Sequence, residues 1–299
     1  MYTHLFQQPD WFHAVNLSER VSHLNHTAFL EAKPETLAVD EKAHQQFEKW
    51  KNQTPFKTNG YFQDRLALAK ITEPQLLYLL AEPVAQLQSR LSKPDWLQEI
   101  EAAFDIYAAT PLSDEEQKNF GFLALVWPLI KKAAGDLAQM TAQLQQQYQP
   151  DFLNTAVIQD KLMSDLRYQL LETVNRTLVL ELNVARLRKQ LSGETTQERF
   201  QSFVRLLSDP EFALPILQEY SVLARQVVIR LKQWLTFHSE WLHQLCQDWP
   251  IILQHFANTQ PTGSLVEIIR AGDNHRDART VLILKFESGL KLVYKPHSL

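Results

Sequence analysis

The chain has 299 residues, 45% of them hydrophobic, which is enough for one large or two ordinary domains with an ample core. A net charge of -4 gives no electrostatic case for a nucleic-acid or membrane partner, and a single cysteine, Cys246, excludes both a disulfide framework and a cysteine-rich zinc site. The amino terminus has no basic start followed by an apolar run, and the longest apolar stretch, Phe120 to Ile130, is too short for a bilayer and contains Pro128. A reducing, cytoplasmic setting is expected.

Glycine is scarce until late. Four glycines precede residue 263 and three fall from Gly263 onward, so the sequence predicts a helical body to about residue 260 and β structure only from Leu265. Trp11, Phe12 and Val15 suggest a first amphipathic helix, and Ala38 to Trp50 a second. Residues 52–60 read as a connector. Helices are expected at 61–70, 74–91, 94–109 and 113–147, the last kinked near Pro128 or interrupted at Gly135. Thr72 with Gln75, Ser113 with Glu116, Thr195 with Glu198 and Ser208 with Glu211 all have capping-box spacing.

From Asp151 to Leu191, the residues Leu162, Leu166, Leu170, Val174, Leu178 and Leu182 recur every four positions, a core stripe on one long helix that Gly193 should end. Thr195 then caps a helix carrying Phe200, Phe203, Leu206 and Leu207. Between Ser221 and Phe256, Trp234, Trp241, Leu245 and Trp249 keep one helix side apolar and read as core packing. Cys246 lies in that stripe and reads as an inert buried thiol. His238 and His243 are five apart, off the spacing that sets two metal ligands on one helix face, so no metal site is expected.

The last thirty residues carry the candidate site. Gly272 opens a polar loop with Asp273, His275 and Arg279. Thr280 to Phe286 then reads as a strand, Glu287 to Gly289 as a turn and Leu290 to Tyr294 as a second strand, closed by Lys295 and Pro296. A loop feeding a hairpin that ends in a lysine is how kinase-like folds cover and grip a nucleotide. A strand-end lysine also serves simply as an edge charge, and Asp273 also serves as a turn former. The fold class expected is mainly α with a C-terminal β-hairpin (α+β), divided at residues 1–150, 151–262 and 263–299. With no strand beyond the hairpin, it should lack sheet partners and be poorly ordered.

The stretch GDNHRDARTVLILKFESGLKLVYKP, Gly272 to Pro296, resembles the signature of class II lanthipeptide synthetases, the LanM-type enzymes. That signature is Gly-Asp-x-His, then Arg-x-Val, an apolar strand, Ser-Gly-x-Lys and Val-Tyr-Lys-Pro-Arg-Ser-Leu. The likeness continues upstream in Leu178 to Pro210, Leu217 to Trp234 and Leu245 to Leu253, in the family's order. His297 departs from it, standing where the family usually has arginine.

The resemblance implies the start of a lipid-kinase-like dehydratase. Such an enzyme uses ATP and Mg2+ to phosphorylate serine and threonine of a ribosomal precursor peptide, whose leader it binds. It then eliminates the phosphate to leave dehydroamino acids, and a zinc-dependent cyclase follows. The resemblance places Lys295 at the nucleotide, Gly272, Asp273 and His275 in the loop over the phosphates, and Arg279 on phosphate or on Asp273, a purely structural salt bridge being the other reading of Arg279. Asp273 and His275 would serve phosphoryl transfer or the later elimination. Four residues follow Lys295, so the magnesium ligands, the elimination residues and the cyclase are expected outside this chain, which reads as a fragment holding part of the ATP site. The missing C-terminal part of the synthetase is then a further expected partner. Two other readings stay open: a non-catalytic helical module that binds a peptide or partner, and a remnant without function.

Overall fold

The computed structural model describes residues 2–22, 41–57, 60–257, 260–272 and 279–296. These residues are mainly helical and end in a three-stranded antiparallel sheet. The chain packs as two compact units, residues 7–95 and residues 96–299 with the first six. This division follows packing and is independent of the composition boundaries near 150 and 262.

After a short helix α1 (Thr3–Phe6), the first of these units opens on a 3₁₀ helix, Pro9–Ala14, and continues with α2 (Leu17–Ser22), α3 (Glu41–Lys51), α4 (Tyr61–Leu68), α5 (Glu73–Ala81) and α6 (Val84–Arg90). Trp11, Phe12, Ala14 and Val15 are all buried. In place of the amphipathic α-helix expected here the chain forms a tight 3₁₀ segment started by Pro9. Phe47, Phe62, Leu66, Ile71, Leu76 and Leu79 tie α3, α4 and α5 into one core. The helix expected at 74–91 is broken in two. Pro83 offers no N–H and holds Glu82 extended at φ -61°, ψ 119°. The buried Glu82 carboxylate is met by Arg90 Nη2 at 2.8 Å, which satisfies a charge that would otherwise destabilise the fold.

The second unit contains α7 (Asp95–Tyr107), α8 (Asp114–Phe120), α9 (Trp127–Tyr148), α10 (Thr155–Leu187), α11 (Thr196–Leu207), α12 (Pro210–Glu219) and α13 (Ser221–Phe256). The helix expected at 113–147 is interrupted earlier than predicted, by a 3₁₀ segment at Gly121–Val126. Gly121 lies so close to α11 that a Cβ there would sit 2.7 Å from Val204 Cγ2. Pro128 stands in the first turn of α9, where its missing N–H breaks no bond, and Gly135 lies inside that helix without interrupting it.

Helices α10 and α13 form the frame. α10 buries Ile158, Leu162, Leu166, Leu170, Val174 and Leu178, and α13 buries Val227, Trp234, Trp241, Leu245 and Trp249. α10 ends before Gly193. Lys189 turns left-handed at φ 56°, and Gln190 N–H donates to the Ala185 carbonyl at 3.0 Å. The capping boxes at Thr72, Ser113 and Thr195 all form. The fourth does not: Asp209 caps α12 by accepting from Glu211 N–H at 3.0 Å, while the Ser208 hydroxyl donates back to Val204 O and closes α11. Thr195→Ala is expected to cost about 1 kcal/mol, seen as a lower urea midpoint at unchanged slope.

The sheet is β1 (Leu265–Ala271), β2 (Val281–Phe286) and β3 (Lys291–Tyr294), in that order, with a register irregularity between Leu265 and Glu267. β1 supplies the partner that the hairpin was expected to lack. The turn Glu287 to Gly289 is as predicted, with Gly289 at φ 88° and Phe286 N–H donating to Leu290 O. Leu282, Leu284 and Phe286 face inward and are buried. Phe286 stacks on Trp249 at 5.2 Å and meets Phe152 edge-on at 6.1 Å, so the sheet is fastened to the helices.

Candidate functional site

Register fixes which residues share an end of the sheet. Ala271 pairs with Val281, and Leu282 pairs with Tyr294. Gly272 follows the first pair, Arg279 precedes it, and Lys295 follows the second. All three therefore stand at the loop end, opposite the Glu287–Gly289 turn. Asp273 and His275 lie outside the described residues.

Gly272 has φ 84°, and a Cβ placed there would meet nothing within 4 Å among the described residues. Its conformation is what calls for glycine. Arg279 Nη2 donates to both carboxylate oxygens of Glu240 on α13, at 2.8 Å each. Arg279 is thus held in a salt bridge, one of the readings the sequence left open, with a partner the sequence did not name. Tyr294 is half-buried, and its hydroxyl donates to Gln244 Oε1 at 2.9 Å. Burial, with the Glu240 carboxylate nearby, pushes the Tyr294 phenol pKa upward. Lys295 is exposed and, by strand alternation, projects on the face opposite Tyr294, with Lys291 and Val293.

Beneath β1 lies a polar contact within an apolar setting. Arg270 reaches Asp165 on α10 at 3.4 Å. Nearby on α13, His238 is buried and its Nδ1 accepts from Trp241 Nε1 at 2.7 Å, which fixes the tautomer with the proton on Nε2. Burial, reinforced by the Arg270 charge, lowers the His238 pKa to about 3. Cys246 is also buried, and burial raises its thiol to about 11, so it stays protonated and unreactive at neutral pH. Among the described residues, no group of three or more His, Cys, Asp or Glu is placed to hold a metal ion. No helix among them is long and apolar enough to cross a membrane.

Glu240 and Asp165, the acidic partners of the two arginines flanking the loop, were not legible from sequence. They lie 39 and 105 residues away from those arginines, and local pattern carries no signal over such distances.

The arrangement is thus a helical frame carrying an antiparallel sheet whose one end gathers a loop and a lysine. Residues 220–299, which are α13 and the whole sheet, match the model of a domain of unknown function, DUF4135. No curated protein matches the chain.

Proposed function

We propose that this chain carries the amino-terminal part of a class II lanthipeptide synthetase dehydratase, and that the loop end of its sheet holds the phosphates of ATP. The observation that carries this is positional. Lys295 and the loop bounded by Gly272 and Arg279 are distant in sequence yet stand at one end of one antiparallel sheet. That is where kinase-like folds put the covering loop and the phosphate-gripping lysine. The resemblance of the residues from Gly272 to Pro296 to the family signature adds the substrate: serine and threonine of a ribosomal precursor peptide.

The residues fit a phosphate. Lys295 offers a compact, accessible positive charge, and Gly272, which has no side chain, supplies the positive-φ turn into the loop. Arg279 can join only by exchanging Glu240 for phosphate. Their ion pair is partly exposed, at 35% and 40% of side-chain area, and such pairs contribute about 1 kcal/mol or less, so the exchange costs little. Asp273 and His275 are assigned to the same loop, to phosphoryl transfer or to elimination. Magnesium is a different matter, because the described residues offer no carboxylate cluster for it. The role proposed for this chain is therefore binding of the triphosphate and positioning of the loop.

The test is calorimetric titration of ATP with magnesium into the chain and into Lys295→Ala. Loss of one charge-assisted phosphate contact should weaken binding about ten- to hundredfold. Lys295 is exposed, so the variant should unfold at the same urea concentration as the parent. Equal binding by both proteins, or binding by neither, would remove the nucleotide from this site.

A further inference from the structure

Helix α13 meets the loop end of the sheet along one narrow face. Phe237, Glu240 and Gln244 follow one another at spacings of three and four residues, so their side chains share a side of the helix. Each reaches a residue that borders the proposed phosphate site. Glu240 accepts from Arg279 Nη2 through both carboxylate oxygens, at 2.8 Å each. Gln244 Oε1 accepts from the Tyr294 hydroxyl at 2.9 Å, and the Phe237 ring lies 6.3 Å from the Tyr294 ring. Arg279 leads into β2, and Tyr294 ends β3 beside Lys295.

The two polar contacts act on the two cations in opposite ways. Successive strand side chains point to opposite faces, so a Tyr294 held against α13 sends Lys295 outward. Pro296 follows and has no N–H with which to extend the ladder, which leaves the Tyr294 side chain as the last contact with α13 before Lys295. Gln244 therefore supports the outward placing of the lysine. Glu240 does the reverse for the arginine. Its carboxylate keeps Arg279 turned to the helix, occupies N–H donors that a phosphate would use, and repels an approaching anion. In this arrangement Lys295 is presented and Arg279 is withheld.

We propose that Glu240 and Gln244, one turn apart on α13, are positioning residues of the phosphate site: Gln244 presents Lys295 through Tyr294, and Glu240 restrains Arg279 until phosphate replaces it. The proposal rests on the nucleotide reading and adds to it a sign for each residue. A general loosening of the sheet on α13 would weaken binding whichever of the two residues is changed. Opposite signs separate positioning from loss of structure.

The experiment is calorimetric titration of ATP with magnesium into the chain and its variants. Glu240→Gln should tighten binding about twofold to fivefold, the usual contribution of a partly exposed ion pair. Gln244→Leu, and Tyr294→Phe from the other side of the same bond, should each weaken it about twofold to tenfold, the contribution of one hydrogen bond. Each effect should depend on its own cation. The gain from Glu240→Gln should shrink when Arg279 is already glutamine, and the loss from Gln244→Leu should vanish when Lys295 is already alanine.

Weaker or unchanged binding in Glu240→Gln, unchanged or tighter binding in Gln244→Leu, or effects that persist in full without Arg279 and Lys295 would each overturn the inference. All of these leave the nucleotide reading in place, because that reading stands on the loss of binding in Lys295→Ala. Absence of ATP binding by the parent chain would remove both.

Discussion

Phe286→Ala is expected to lower the free energy of unfolding by about 3–5 kcal/mol, the usual cost of removing a buried aromatic side chain. Phe286 is 2% exposed and fills the junction between β2, Trp249 of α13 and Phe152 in the loop before α10. The junction is one of several ties between sheet and helices, beside Arg279 with Glu240, Tyr294 with Gln244 and Arg270 with Asp165, and it is the one built on buried aromatic packing. β1 is tied to the same place by Leu265 N–H donating to Phe152 O at 3.0 Å, and Trp249 Nε1 donates to Asp151 Oδ1 at 2.7 Å. A cavity at Phe286 undermines both attachments, because the aromatic rings that screen these hydrogen bonds lose their packing partner. The loss should also be uneven. The long helices are stabilised by their own leucine and tryptophan stripes, whereas a three-stranded sheet needs a body to pack on. Hydrogen exchange should therefore show β2 and β3 amides losing protection in the variant while the middle of α13 keeps most of its own. Uniform loss across α13 and the sheet would mean that the two unfold as one unit and that Phe286 is no special fastening.

This fastening also marks where the sequence was legible and where it was not. Helices announced themselves through four-residue spacing and through Thr72, Ser113 and Thr195, whose side chains bond within three residues. Such signals are local, so one chain suffices to read them. The misread ends had local competitors. At Ser208 and Asp209, two adjacent residues could each cap, and Pro210 at the first helical position decided for Asp209. At Gly193 the obvious helix stop was pre-empted by Lys189, a residue type with no preference for the left-handed conformation. The turn at Gly289 and both hairpin strands were plain in the alternation of Leu282, Leu284 and Phe286. What the alternation did not give was the sheet's third strand as a partner, since β1 carries Val266, Glu267 and Arg270 in no clean period. Contacts such as Arg279 with Glu240 depend on the packing of distant segments, and no spacing rule reaches them.

The second large effect concerns acid. Lowering the pH from 6.5 to 5 is expected to cost the folded state about 2 kcal/mol at one residue, His238, and His238→Asn should remove that cost. His238 is enclosed by Trp234 at 4.8 Å, Phe237 at 5.2 Å and Trp241 at 6.0 Å and is only 2% exposed, a setting that disfavours an imidazolium. Arg270 adds a positive charge nearby that protonation would have to oppose. Burial first and Arg270 second hold the folded pKa at about 3, against an ordinary 6.5. The sign follows from proton counting. Below pH 6.5 the unfolded chain takes up a proton that the folded chain refuses, so stability is fully present above 6.5 and is lost as pH falls toward 3. Within that window the slope approaches ~1.4 kcal/mol per pH unit. The depressed carboxylates Glu99 and Glu198 act in the same direction, but they begin to be lost only as pH falls below their ordinary value of 4.5. Between 6.5 and 5 the contribution of His238 is thus separable from theirs. Asparagine at 238 carries its Oδ1 where His238 carries Nδ1 and can still accept from Trp241 Nε1, so the variant isolates the charge from the hydrogen bond. Urea unfolding of both proteins across this range should give curves that converge as pH falls, and parallel curves would show that His238 is not the buried base described here. Convergence would carry a structural consequence as well. Arg270 belongs to β1 and reaches Asp165 on α10. An imidazolium forced to form beneath it therefore pushes on the strand that leads into Gly272, so the loop end of the sheet should be the first part of the site to loosen in acid.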